Sequence, residues 1–377
     1  MNEAEELLQQ DPKTIMRSII QRIATGPDMS KDISQQEARA GMRAVLDNAV
    51  DPVQAAVFLI ALRMKRETDE ENRGILDAIR DISISVTAPV DEVLDLSDPY
   101  NGYNRTLPAA PFVPAVLAAC GIHTISHGVE TMSPKFGITH RRVLRAAGAP
   151  VQLTVEQAAA RLGDSGIGWS YVDQDAYCPQ LHDLSTLRTS IIKRQAITTV
   201  EVLTGPIRGR RKTHFMSGYV HKPYTRVYTM LARHSGFDSA LLVRGIEGGI
   251  VPSLRQKGKM VFYHDMGAEQ EQAFDPVDIG IHQNVRATPL PDDLPERSTG
   301  DDVGADFDVD NAAQLAAQAG LAALGGKHSS TYDALVYAGA IALWHLNKYD
   351  TLDDAASRIR EVLNNGSALE HFNNAAV

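Results

Sequence analysis

The chain has 377 residues, is 44% hydrophobic and carries a formal net charge of −10. That length can bury a large core and divide into two domains, and the negative balance disfavours general polyanion binding, which needs clustered Lys and Arg. Two cysteines, Cys120 and Cys178, supply neither a disulfide framework nor a thiolate zinc site; the N-terminus is acidic where a signal peptide is basic, and no apolar run reaches the ~18 residues of a membrane span, so a cytoplasmic, globular protein with no membrane partner is expected.

The first ninety residues read as helices with explicit starts. Asp11-Pro12 offers an N-cap with proline at the first helical position, and Ile15, Met16, Ile19, Ile20 and Ile23 then share a face before Gly26. Ser34-Gln-Gln-Glu37 is a capping box, Asp51-Pro52 opens an apolar helix through Val57, Phe58, Leu59, Ile60 and Leu62, and Thr68-Asp-Glu-Glu71 caps a fourth. These predict a small all-α domain over residues 1–90. From residue 91 short apolar strands alternate with helices: Val93–Leu96, Ile122–Ile125, Gly168–Val172, Ser239–Val243 and Met260–Tyr263. The alternation predicts a larger α/β domain with a central sheet over 91–377. A Pro- and Asp-rich segment from Ala287 to Asp310 reads as a solvated loop without EF-hand spacing, and helices resume at Asn311–Leu324, Thr331–Asn347 and Leu352–Asn364.

Two loops stand where a strand feeds a helix, the usual place for an anion cradle of free backbone N–H groups. The first is Ser97-Asp-Pro-Tyr-Asn-Gly-Tyr-Asn-Arg-Thr106, in which Gly102 alone supplies glycine's freedom. The second follows His127-Gly128 and contains Met132-Ser-Pro-Lys-Phe-Gly137. Three basic stretches, His140 to Arg145, Lys193-Arg194 and Arg208 to Lys212, supply the cations of a positive cleft across a dimer, with Tyr219, Tyr224 and Tyr228 available for stacking. Exposed helix faces carry such arginines equally well. The twelve histidines include no His-Glu-x-x-His pair, so zinc chemistry is unsupported.

The order of elements and several strings resemble the anthranilate phosphoribosyltransferase family, within the glycosyltransferase family 3 group that also includes pyrimidine nucleoside phosphorylases. The resemblance spans nearly the whole chain. Its clearest parts are Asp51 to Thr68, His127-Gly128 with Ser133 and Lys135, Tyr332-Asp-Ala-Leu-Val, and Leu352-Asp-Asp-Ala-Ala. It implies a nucleoside phosphorylase/phosphoribosyltransferase-like fold, a small α domain meeting the α/β domain at a cleft, with the helical segment near 178–200 packing on the former, and pairing of two copies through the α domain. It implies a donor side at Asn101, Gly102, Asn104, Arg105, Thr106, His127, Gly128, Ser133 and Lys135. Pro179 followed by Arg188 and Arg194 resembles the acceptor segment, in which the second arginine meets an aromatic acid's carboxylate; a guanidinium suits that role through paired charge-assisted bonds. The implied ligands are phosphoribosyl pyrophosphate and an aromatic acid, and the implied cofactor is Mg²⁺.

The chain departs from the family at two places. Ser97-Asp-Pro-Tyr-Asn-Gly102 replaces the glycine-rich Gly-Thr-Gly-Gly-Asp, and Arg244-Gly-Ile-Glu-Gly-Gly-Ile-Val-Pro252 puts Ile250 and Val251 where the metal-binding Asp-Glu pair belongs. Apolar side chains cannot ligate Mg²⁺, and Glu247 and Asp98 are the carboxylates left to substitute. Three readings stay open: a transferase with a remodelled donor site, acting on a carboxylate-bearing aromatic acceptor; a non-catalytic relative that binds nucleic acid; and a ligand- or partner-binding regulator.

Overall fold

The caps written in the sequence are formed in the structure, a computed structural model that describes residues 10–26, 28–296 and 304–376. Asp11 accepts from the Thr14 amide to start α1 (Pro12–Ile23), and Ser34 and Glu37 close a reciprocal box at α2 (Gln35–Leu46). Asp51 caps α3 (Pro52–Lys65), and Thr68 with Glu71 caps α4 (Asp69–Ile82). Each cap satisfies amides that a helix start otherwise leaves orphaned. The face carrying Ile15, Met16, Ile19 and Ile23 is buried, as its spacing predicts.

A seven-stranded sheet follows, in the order β4-β3-β2-β6-β7-β8-β9 when strands are numbered along the chain. Its five parallel strands are β2 (Glu92–Ser97), β3 (Thr124–Gly128), β4 (Trp169–Asp173), β6 (Lys212–Gly218) and β7 (Ser239–Val243); β8 (Gly258–Tyr263) and β9 (Gln270–Phe274) extend it antiparallel. A separate two-stranded ladder pairs β1 (Val86–Thr87) with β5 (Ile207–Arg208). Sequence patterning finds five strands of this sheet and misses two: β6, whose Lys212, Thr213 and His214 mask its apolar half, and β9, which is exposed but for Phe274.

Side chains alternate across the sheet, as the two-residue strand period requires. Leu94, Leu96, Met216, Leu241, Val243, Met260 and Phe262 face one core, which the C-terminal helices cover: α5 (Val309–Leu324), α6 (Ser330–His345), α7 (Leu352–Asn364) and α8 (Ser367–Ala376). Val93, Ile125, Phe215, Ala240, Leu242 and Val261 face the other, which is continuous with the cores of α1 to α4. The helical domain is therefore seated on the sheet. The short helix Ser185–Ile191 packs back against α3. Within the Pro- and Asp-rich segment, Asp308 caps α5 and Asp310 pairs with Arg142, while Asp301 and Asp302 lie outside the described residues. No described helix is long and apolar enough to cross a membrane.

Candidate active site

Strand order reverses between β2 and β6: β3 and β4 run out on one side, β6 and β7 on the other. Beyond the carboxyl ends of the strands, such a switch point opens a crevice, the usual ligand site of open α/β sheets. A cavity of about 150 Å³ lies there, walled by the loop after β2 (Asp98 to Asn101), the loop after β6 (Tyr219, Val220, His221), Tyr224 and Tyr228, and Arg63 from the helical domain. A larger groove of about 480 Å³ lies at the opposite, amino-terminal edge of the strands, among Asp91, Glu92, His123 and Lys212.

Of the donor- and acceptor-side residues selected from the sequence, Asn101 and Arg194 line the switch-point cavity, together with the stacking candidates Tyr219, Tyr224 and Tyr228 and the carboxylates Asp98 and Glu247. Arg194 is exposed and, among the described residues, makes no hydrogen bond or ion pair. Arg63 bridges the domains, donating to the Tyr224 hydroxyl at 2.7 Å, to the Gln195 carbonyl at 2.9 Å and to Thr199 Oγ1 at 3.0 Å. Arg188 does not face the cleft. Its fully buried guanidinium meets the Glu201 carboxylate in two parallel bonds, Nη1 to Oε2 at 2.6 Å and Nη2 to Oε1 at 2.7 Å. Glu201 itself lines the cavity, so Arg188 stands behind the wall and fixes it. Pro179 begins a short helix, is exposed, and lies off the cavity lining.

The donor-side residues fall into two layers. His127, Gly128 and Ser133 are beneath the loops and buried. His127 Nε2 lies 2.9 Å from Asp95 Oδ1 and 3.0 Å from Ser97 Oγ, while its Nδ1 meets the Tyr100 hydroxyl. Ser, His and Asp thus meet, yet Asp95 and Ser97 share one ring nitrogen, whereas a nucleophile relay needs opposite ones. This is a buried polar network that pins the first loop. Asn104, Arg105, Thr106 and Lys135 form the upper layer. The amides of Asn104 and Arg105 donate to Glu247 Oε2 and Oε1 at 3.1 and 3.0 Å, Thr106 Oγ1 donates to Oε1 at 3.1 Å, and Lys135 Nζ lies 3.3 Å from Oε2. Gly102 serves packing, because at φ +71° an added Cβ would meet the backbone of Gly137 and Ile138 at 2.7 Å. Burial is the main cause that pushes the Lys135 pKa down, Glu247 opposes it, and the nearby positive Arg194 and Arg105 add to the fall.

These partners decide the question of Mg²⁺. Asp98 accepts from the Ile250 amide at 2.9 Å, from the Tyr103 hydroxyl and from His140 Nε2 at 3.0 Å. Glu201 is taken by Arg188, Glu247 by the amides of the first loop, and Ile250 and Val251 are buried in the core. Every carboxylate at the cleft is turned toward N–H and O–H donors, and among the described residues no group of three His, Cys, Asp or Glu side chains could hold a metal ion. The residues present do not fit the cation, and Asp98 and Glu247 do not replace the missing pair.

Within one chain the basic stretches lie apart. Arg211 and Lys212 lie at the amino-terminal edge of the sheet, a strand's length or about 20 Å from the cavity that Arg194 lines. Arg141, Arg142 and Arg145 are neutralised by Glu130, Asp173 and Asp310.

Comparison with known proteins agrees with this architecture. Residues 17–83 match the model of a glycosyl transferase family helical bundle domain, and residues 100–369 match that family's a/b domain. The chain belongs to this glycosyl transferase family. It is 24% identical to the anthranilate phosphoribosyltransferase of Bradyrhizobium diazoefficiens over 94% of this chain and 95% of that one. It is 28% identical to an uncharacterised protein of Aquifex aeolicus over 63% of this chain and 71% of the relative. The anthranilate phosphoribosyltransferase of Saccharomyces cerevisiae, solved in complex with PRPP and Mg, superposes with a TM-score of 0.72 at 15% identity, covering 96% of this chain and 97% of that one. A likeness at that identity concerns the fold. Another structure of the yeast protein contains 4-fluoroanthranilate.

Arg63 and His221 enter the site without having been selected from the sequence, whereas Tyr219 had been singled out there as a stacking tyrosine. Arg63 is embedded in an otherwise apolar helix, and a lone guanidinium there was the available signal. Tyr219 and His221 follow the unrecognised strand β6, so nothing in the sequence placed them at a strand's carboxyl end.

Proposed function

We propose that the protein is a pentosyltransferase of the anthranilate phosphoribosyltransferase type, with a remodelled donor site and a carboxylate-bearing aromatic acceptor held by Arg194. The carrying observation is Arg194 itself, a guanidinium without a hydrogen-bond or ion-pair partner among the described residues, on the lining of an interdomain cleft. Its charge suits a carboxylate, and Tyr219, Tyr224 and Tyr228 offer faces to an aromatic ring. Relatives named anthranilate phosphoribosyltransferase across 94% of the chain supply the reaction class. In that class the acceptor nitrogen bonds to C1 of the pentose as the C1–O bond to the phosphate group breaks, the electron pair leaving with the phosphate and the nitrogen giving up one N–H proton to water.

The same reading takes the functional protein to be a cytoplasmic homodimer joined through the helical domain. Val53 and Met64, 71% and 76% exposed, are apolar positions of α3 turned to solvent.

Isothermal titration with anthranilate, in wild type and Arg194→Ala, tests the acceptor assignment. Loss of the charge-assisted contact should weaken binding by about 1.5–3 kcal/mol, roughly tenfold to over a hundredfold, with circular dichroism unchanged. Equal affinity in the two proteins would sink the assignment. A single-stranded oligonucleotide bound with steep salt dependence, by a wild type that ignores anthranilate, would instead point to the non-catalytic relative.

A further inference from the structure

The anion cradle at the switch point is already filled, and its occupant is part of the chain. Two backbone amides, the Thr106 hydroxyl and the Lys135 ammonium converge on the two oxygens of Glu247. Successive N–H groups beside a lysine, at the carboxyl end of a central strand, form the kind of concavity that takes a phosphate. The carboxylate reaching into it belongs to the loop after β7, and its side chain is 8% exposed.

That loop is built to deliver it. Glu247 has φ +53° and ψ 14°, a left-handed backbone that non-glycine residues rarely adopt. Glycines surround it. A Cβ on Gly245 would lie 1.5 Å from the Gly249 carbonyl oxygen, and one on Gly249 would lie 1.7 Å from the Tyr103 hydroxyl, so the turn is pressed against the first loop with no room for side chains. Asp98 ties the same two loops by accepting from the Ile250 amide. A non-glycine residue held in the left-handed region, with its carboxyl group meeting four donors, is a positioned group rather than a solvated one.

We propose that Glu247 is an intramolecular occupant of the phosphate cradle and a specificity determinant that excludes diphosphate-bearing donors. This rests on the reading of the cleft as the ligand site. With Glu247 in place, the positive charge of Lys135 is neutralised by its carboxylate and the amides of Asn104 and Arg105 are taken. A diphosphate entering the cleft would find a carboxylate where it needs donors. Among the described residues the guanidinium groups of Arg194, on the cavity lining, and of Arg105, beside Lys135, have no hydrogen-bond or ion-pair partner, which leaves one cation for the acceptor carboxylate and one for a monophosphate. The donor class that fits is a pentosyl group carrying a single phosphate.

Inorganic pyrophosphate, titrated by calorimetry, is the probe. Glycine adopts φ +53° without strain, so Glu247→Gly opens the cradle while relaxing the turn. The expected result is pyrophosphate binding at least tenfold tighter in Glu247→Gly than in wild type, with the gain lost when Lys135→Ala is added. A second variant, Glu247→Gln, keeps the side chain's bulk but removes its charge and should also bind pyrophosphate more tightly than wild type. Should Glu247→Gly fail to fold, this comparison decides alone. Pyrophosphate affinity in the folded variants that does not exceed wild type would overturn the proposal. Anthranilate titrated into wild type reports separately on the acceptor reading, so the two can fail independently.

Discussion

Arg188 and Arg194 lie six residues apart and have opposite fates, because the chain buries one guanidinium and leaves the other in the cleft. Arg188 is compensated on every side. Gln195 Oε1 accepts from its Nε at 3.3 Å, and Gln174 Nε2 supports Glu201 at 3.3 Å. Removing one member of a buried pair strands the other charge, so Arg188→Ala should cost about 3–5 kcal/mol of stability. Chemical denaturation is the measurement. A loss below about 1 kcal/mol, the range of a surface ion pair, would contradict the burial argument.

Among elements, the amino-terminal edge of the sheet carries a histidine cluster that the cleft does not use. His214 Nδ1 lies 2.7 Å from Ser239 Oγ, which lies 3.0 Å from His345 Nε2, and the rings of His345 and His264 stack at 4.6 Å. Burial drives the His345 pKa well below its ordinary value, and His264 and His214 add like charge; burial lowers His214 as well. Both groups bind protons more readily unfolded than folded. Their contribution is therefore complete above the unfolded pKa of about 6.5 and is lost as pH falls toward the depressed folded values, by up to about 1.4 kcal/mol per pH unit and group. His345→Gln should shrink the drop in Tm between pH 7.5 and 5.5. An identical drop in the variant would exclude His345 as a contributor.

At the scale of the whole molecule, one core runs from the helical domain across a face of the sheet, and Arg63 adds a polar tie across the cleft. The two domains are thus held in one arrangement, and one side of α3, with Val53 and Met64, stays exposed. If the homodimer forms there, Val53→Glu with Met64→Glu should convert it to a monomer by light scattering, with unchanged circular dichroism. A doubly substituted protein that stays dimeric would move the interface elsewhere.

Local rules made much of this chain legible from sequence: the caps at Asp11, Ser34, Asp51 and Thr68, the helical face of Ile15 to Ile23, and the apolar strands all depend on neighbours a few residues away. The replaced glycine-rich loop and the apolar Ile250-Val251 were likewise plain in the residues. Strand β6 was hidden because three polar residues precede its apolar run. What only the tertiary structure decided were pairings between distant segments. Glu201 claims Arg188, Asp95 and Tyr100 claim His127, and Glu247 reaches the Asn104 and Arg105 amides from more than 140 residues away. Whether a charged side chain is a ligand contact or an internal counter-ion depends on which opposite charge the fold brings beside it, and that is a property of the packed sheet and its loops.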